Sequence, residues 1–430
     1  NNATQNVAVG AYALCKNTLG CRNTAVGTSA LCSNTTGLYN AAFGRTALVG
    51  NTTGCFNTGL GTYAGYGNST GLTNSYVGYA AGYTNETASA NTGLGMQALY
   101  ANCGDANTAV GECASICNTS GCSNTAIGRR ALCNNTTGKS NVAIGDCAMA
   151  GSTPGDYNVA VGRYSLYNNC STRNTALGYY SLYANTGADN TGVGYAALGS
   201  NTTGYYNVAV GRGALEDNQT GNINTAVGYC ALHENEVDNN TAVGAYTLVC
   251  NTTGSRNTAV GRNALCTNTT ACGNTAVGYH AAFANCTGGC NTAIGEYALC
   301  SNTTGCEHVA LGRDALCLNT TALRSTAVGF RSLMNQTTTG GYNTGLGHTT
   351  LCSITTGTYN TAAGYAASCK VTGTGNSSYG ADALRNTTTG TYNEAFGASA
   401  MYNNVGGCNN SAFGHGVNYN NTDGIYNSGF

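Results

Sequence analysis

Apolar and polar positions along this chain recur with a period near seventeen, too long for a helical face and too regular for a globular domain. The phrase N-T-A-V-G and its variants mark the repeat, with its glycine as anchor at Gly10, Gly27, Gly44, Gly61 and so on to Gly397 and Gly414; twenty-five such anchors are spaced 16 to 18 residues apart. A larger apolar residue precedes the anchor, as at Val9, Val26, Phe43, Ile127, Leu177, Val260 and Phe396, and a leucine follows four residues later, as at Leu14, Leu31, Leu132 and Leu265. Both positions are expected to form the core. Two residues before and three after the glycine the chain prefers small residues such as Ala25, Ala30, Ala259 and Ala264, which predicts close packing there, with Tyr76 as a visible exception.

Between these segments lies N-T-T-G, for instance Asn34 to Gly37 and Asn302 to Gly305. Asn and Gly tolerate left-handed backbone and hydroxyls bond locally, so this is a corner. Recurrent interior glycines disfavour helix, each by about 1 kcal/mol relative to Ala. The pattern predicts an all-β fold, a parallel β-solenoid of about 25 coils of 17 residues occupying 1–430 as a single continuous repeat domain. At about 4.8 Å per stacked strand, the coils would span roughly 120 Å.

Composition narrows the function classes. The 430 residues include 63 Gly, one Pro and no Trp, and only 8% are charged, for a net charge of −1. No Lys/Arg cluster is present to hold a phosphate backbone or an anionic membrane, so neither nucleic acid nor membrane insertion is expected. The opening NNATQNVAVG carries neither Met nor a basic and apolar leader, as expected of a mature chain or a fragment. Twenty-three cysteines without paired zinc-type spacing point to an oxidising, extracellular setting, and the odd number leaves one thiol free or bonded between chains.

N-V-A-V-G at 6–10, N-V-A-I-G at 141–145 and N-T-A-I-G at 124–128 resemble the head repeats of YadA-type trimeric autotransporter adhesins, and the whole unit is similar to repeats of phage-tail-fibre-like proteins. The resemblance implies a left-handed parallel β-roll, often of three chains side by side, with the small alanine face at the chain–chain contact. The unit here is longer than the YadA unit and richer in cysteine.

Candidate chemistry is sparse. His233, His280, His308, His348 and His415 fall on variable positions, no carboxylate pair recurs, and G-T-G at Gly373 to Gly375 lacks the phosphate-loop ending, so no enzyme, cofactor or metal is expected. Cys15/Cys21, Cys117/Cys122, Cys266/Cys272 and Cys300/Cys306 each flank a corner and are disulfide candidates, with buried apolar thiols as the alternative. Cys352 and Cys369, one period apart, are a further candidate pair on adjacent coils. Sequons at Asn34, Asn51, Asn118, Asn201, Asn251, Asn302 and Asn319 are expected either to carry glycans along one edge or to be turn chemistry alone.

Tyr39, Tyr157, Tyr206, Tyr342, Tyr359 and Tyr392 precede anchors by five residues, as corner residues or as platforms for sugars. Thr24, Thr108, Thr125, Thr225, Thr258 and Thr275 form a file three residues before the anchor, on the same side as the apolar residue assigned to the core. The composite expectation is a non-enzymatic extracellular fibrous protein: an adhesin shaft, a virion fibre or a surface filament subunit. A solenoid binding ice or surface glycans through Thr or Tyr arrays is the alternative. Phe430 fills the slot before a further anchor and neither end shows a cap, so the ends are expected to be covered by more sequence or by the next subunit, as in a head-to-tail filament.

Overall fold

The computed structural model describes residues 3–337 and 340–430. It is an all-β parallel solenoid, and no helix occurs among the described residues. The chain divides into two compact units, Asn1–Thr220 and Gly221–Phe430. The first carries strands β1 (Val7–Val9) to β13 (Val208–Val210), the second β14 (Thr225–Val227) to β26 (Ser428–Gly429). Each strand is the short segment before an anchor glycine, and within each unit successive strands pair in parallel through equivalent residues, as in Val7 with Thr24, Ala8 with Ala25 and Val9 with Val26.

Register holds although the coils differ in length, because the corners absorb the difference. In a 17-residue coil the Asn34 amide donates to the carbonyl of Gly37, three residues on (3.1 Å). Where the chain is one residue shorter, Asn102 reaches Gly104 and Asn185 reaches Gly187, two residues on (2.8 and 2.7 Å). The strands downstream therefore stay in step, as Thr92 with Thr108 shows.

The anchor has to be glycine for two reasons. Gly61 has φ of +134°, and a Cβ there would lie 2.5 Å from the carbonyl oxygen of Gly78 on the next coil. The leucine after it is unexpected in its backbone. Leu31 and Leu48 adopt φ of 48° and 51°, left-handed values that cost an L-residue about 1–2 kcal/mol. Both side chains are fully buried, which stabilises by about 1.5–3 kcal/mol and offsets that strain. This second apolar segment is a chain of turns, hydrogen-bonded from coil to coil (Leu48 N–H to Ala64 O, 2.9 Å).

The core differs from the sequence expectation at one position in every coil. The middle strand residue points inward: Ala25, Ala42, Ala126 and Ala259 are fully buried, together with Ala30, Ala264 and the leucines. The larger residue before the anchor points outward, with Val9 56%, Leu177 48%, Phe43 40% and Val260 37% exposed. Alternation along a three-residue strand admits only one of these to the interior. The interior is narrow, filled by Ala from the strand against Leu from the turns.

Tyr76 marks the exception and its compensation. It occupies an alanine position and is fully buried, while Gly65 and Gly82 stand where other coils have leucine. A Cβ on Gly82 would meet the Tyr76 ring at 2.3 Å. The ring thus takes the volume of two missing leucines, and its hydroxyl accepts from Asn85 Nδ2 (2.8 Å).

Candidate interaction surfaces

In most coils two asparagines point inward and form ladders. Asn40 N–H donates to Asn23 Oδ1 (2.9 Å), and Asn40 Nδ2 donates to Gly54 O (2.8 Å). In the second ladder Asn34 Nδ2 donates to Asn17 Oδ1, Asn51 to Asn34 and Asn68 to Asn51, each at 2.8 Å. This second ladder contains the sequon residues. Asn34, Asn51, Asn118, Asn201, Asn251, Asn302 and Asn319 are all fully buried, so the stripe assigned to an edge lies inside the coil. A glycan on Nδ2 would need the space and the hydrogen bonds that hold consecutive coils together.

One histidine belongs to these ladders. His308 stands in an asparagine position of the first ladder, fully enclosed, with Nε2 2.6 Å from Ala322 O and Nδ1 accepting from Ser325 N–H (3.2 Å). This arrangement assigns the neutral Nε2–H tautomer, and burial lowers the imidazole's pKa. The position is not variable, contrary to the sequence reading. His280 instead packs between Tyr279 and Phe283 (centroids 4.1 and 4.7 Å).

The cysteines fall into distinct environments, most of them half-buried. Cys21, Cys272 and Cys306 follow a corner, and each sulfur accepts a backbone N–H from the preceding coil, from Thr4, Ser255 and Gly289 respectively (3.4 Å each). Ser89 and Asp156 make the same contact with Leu72 and Lys139. The corner thiol is therefore a hydrogen-bonding group of the turn, as the side chains at this position are in other coils. Cys15 instead acts on the Cys32 thiol, and Cys317 on the Cys300 thiol, each across one coil. Cys266 has Cys250 as its neighbour, and burial pushes its thiol up to about 11. Cys117 lies near Cys113 and Cys133, and Cys122 follows a corner as Cys21 does.

Cys352 and Cys369 do meet across coils. Hydrogen bonding from the Cys369 thiol brings Cys352 down to about 6, while the same contact raises Cys369. The column they occupy, five residues past the anchor, elsewhere carries tyrosines: Tyr66, Tyr83 and Tyr100 stack at 4.8 and 4.9 Å. With Tyr63, Tyr79 and Gln97 they line an open hollow of about 410 Å³. The corner tyrosines are exposed, Tyr39 and Tyr342 at 41% and Tyr157 and Tyr359 at 63%, in left-handed backbone. Tyr342 and Tyr359 stack (5.1 Å), and Arg22 lies over Tyr39 (5.0 Å).

The strand face is the most regular surface in each unit. Thr24 and Thr125 in the first unit, and Thr258 and Thr275 in the second, line an outward file of their own unit, partly or fully exposed, and the apolar residues two positions on line another. Among the described residues Glu394 is the one charged residue in a strand. At the far end of the second unit the apolar file is aromatic, with Phe396 on Phe413 (5.0 Å) and Phe413 on Phe430 (5.6 Å). By contrast, the alanines that the resemblance assigned to a chain–chain contact are consumed within each chain's own core.

Among the described residues no group of three or more His, Cys, Asp or Glu side chains could hold a metal ion, and no helix is long and apolar enough to cross a membrane. In comparisons with known proteins, no family model and no curated relative matches the chain.

Proposed function

We propose that this chain is a non-enzymatic, extracellular fibrous protein that associates side by side with further copies of itself through the outward threonine and apolar files. The observation that carries this reading is the strand face: uncharged apart from Glu394, half apolar, and repeating from coil to coil within each unit. Contiguous apolar surface of this kind marks a contact site in soluble proteins. Its rows repeat at about the 4.8 Å coil spacing. The surface that matches this period row for row is a second copy of the same face, as an isologous contact requires. A photo-crosslinking residue placed at Thr258 tests this reading. Crosslinks to outward strand residues of another copy support it, and crosslinks confined to corners refute it.

A second reading is favoured by the same geometry. Because the residue before the anchor is outside, the threonine file lies beside a second exposed file instead of above a core, forming a flat periodic array suited to a crystalline surface such as ice. Thermal hysteresis in a solution of the chain, lost when lysines replace those threonines, would establish it.

A further inference from the structure

Three pairs of cysteines hold the same position, five residues past the anchor, in consecutive coils: Cys15 with Cys32, Cys300 with Cys317, and Cys352 with Cys369. The backbone is laddered at each pair. Lys16 N–H reaches Cys32 O (3.0 Å), Ser301 N–H reaches Cys317 O (3.0 Å), and Ser353 N–H reaches Cys369 O (2.9 Å). Equivalent Cα atoms of stacked strands lie about 4.8 Å apart. That is inside the roughly 4.4–6.8 Å range that a disulfide spans. The paired thiols perturb one another's ionisation, and the Cys352 thiol donates to Cys369 O (3.5 Å). Corner cysteines are committed differently: Cys306 Sγ accepts from Gly289 N–H and donates to Thr304 O (3.3 Å).

We propose that Cys15–Cys32, Cys300–Cys317 and Cys352–Cys369 are oxidation sites, each closing into a disulfide that staples one coil to the next, with a low-molecular-weight disulfide as oxidant. The thiolate of one cysteine, Cys352 in the third pair, attacks a sulfur of the small disulfide, forming a mixed disulfide and releasing one small thiolate. The neighbouring thiol then loses its proton, and its sulfur displaces the second small thiolate. Two protein thiols are oxidised, one small disulfide is reduced to two thiols, and the two protons pass to those thiolates. The ring so closed has the length of one coil, which ties together residues that already stack in the folded chain.

The test uses the full chain, incubated with oxidised glutathione, alkylated under denaturing conditions and mapped without reduction after chymotryptic digestion. The expected products are the three cross-coil links, each with the mass of two hydrogens lost. Substituting the partner, in C369S, should leave Cys352 as a persistent glutathione adduct, whereas C306S should leave the Cys300–Cys317 link unchanged. Recovery of Cys15–Cys21 or Cys300–Cys306 links, or of the six cysteines alkylated or glutathionylated in the unsubstituted chain, would overturn the proposal.

Discussion

Replacing Asn51 with alanine separates the two roles that its sequon and its ladder assign to it. In the structure Asn51 Nδ2 donates to Asn34 Oδ1 (2.8 Å) and Gly54 O (3.0 Å), while Oδ1 accepts from Asn68 Nδ2 (2.8 Å). After substitution, Gly54 O keeps a bond from Asn40 Nδ2 (2.8 Å) and Asn68 Nδ2 keeps Gly71 O (3.3 Å). Asn34 Oδ1 loses the donor facing it in a fully buried site. One buried orphan at about 1–3 kcal/mol, with the weakened remaining bonds, gives a cost of about 3 kcal/mol. At about 1.4 kcal/mol per tenfold, local opening of the flanking coils rises on the order of a hundredfold. Hydrogen exchange reads this at the Leu48 and Thr58 amides, which bond to Ala64 and Asn74. The control is Thr53→Ala, which destroys the same sequon at an exposed side chain and should change exchange by less than about 0.5 kcal/mol. If N51A and T53A exchange alike, or folded chain carries a glycan on Asn51, the ladder account is refuted.

Other positions give further expectations. Gly61→Ala should lower the thermal midpoint sharply, costing more than about 2 kcal/mol, because left-handed strain adds to a backbone clash with Gly78; an unchanged melting curve contradicts this. Tyr76→Ala, which empties a site flanked by Gly65 and Gly82, should cost about 3–5 kcal/mol in denaturant unfolding. For His308 the folded pKa lies below the unfolded value of about 6.5, so the unfolded state takes up the proton first. That contribution is present above about pH 6.5 and is lost as pH falls below it. His308→Asn, which restores the ladder residue, should flatten the stability profile between about pH 5 and 7, and an unaltered profile assigns the acid sensitivity elsewhere.

Much of this fold is legible in the sequence because its determinants are local and repeated. The anchor glycine announces itself by period, and the corner by its N-T-T-G spelling. The inward strand residue is not legible in the same way. In T-A-V the larger side chain reads as core, yet a coil this narrow admits Ala25 and turns Val26 outward, a choice set by the opposing leucine rather than by hydrophobicity. The asparagines spell either sequons or turn chemistry, because their cross-coil partners are a whole period away. Counting by period would have placed His308 on the asparagine ladder, and it would have paired Cys300 with Cys317 as it paired Cys352 with Cys369. Tyr76 stood out, but its accommodation depends on Gly65 and Gly82 in the third dimension.

The central claim, that the outward strand face joins copies of this chain, is tested most directly by sedimentation velocity across a concentration series. The chain is compared with a variant carrying Val227→Lys, Val243→Lys and Val260→Lys, three outward residues that are 36–37% exposed and not packed in the core. The account predicts that the unsubstituted chain sediments faster as concentration rises while the lysine variant stays monomeric with the same circular dichroism. A concentration-independent monomer for the unsubstituted chain, or equal association by both, would contradict it.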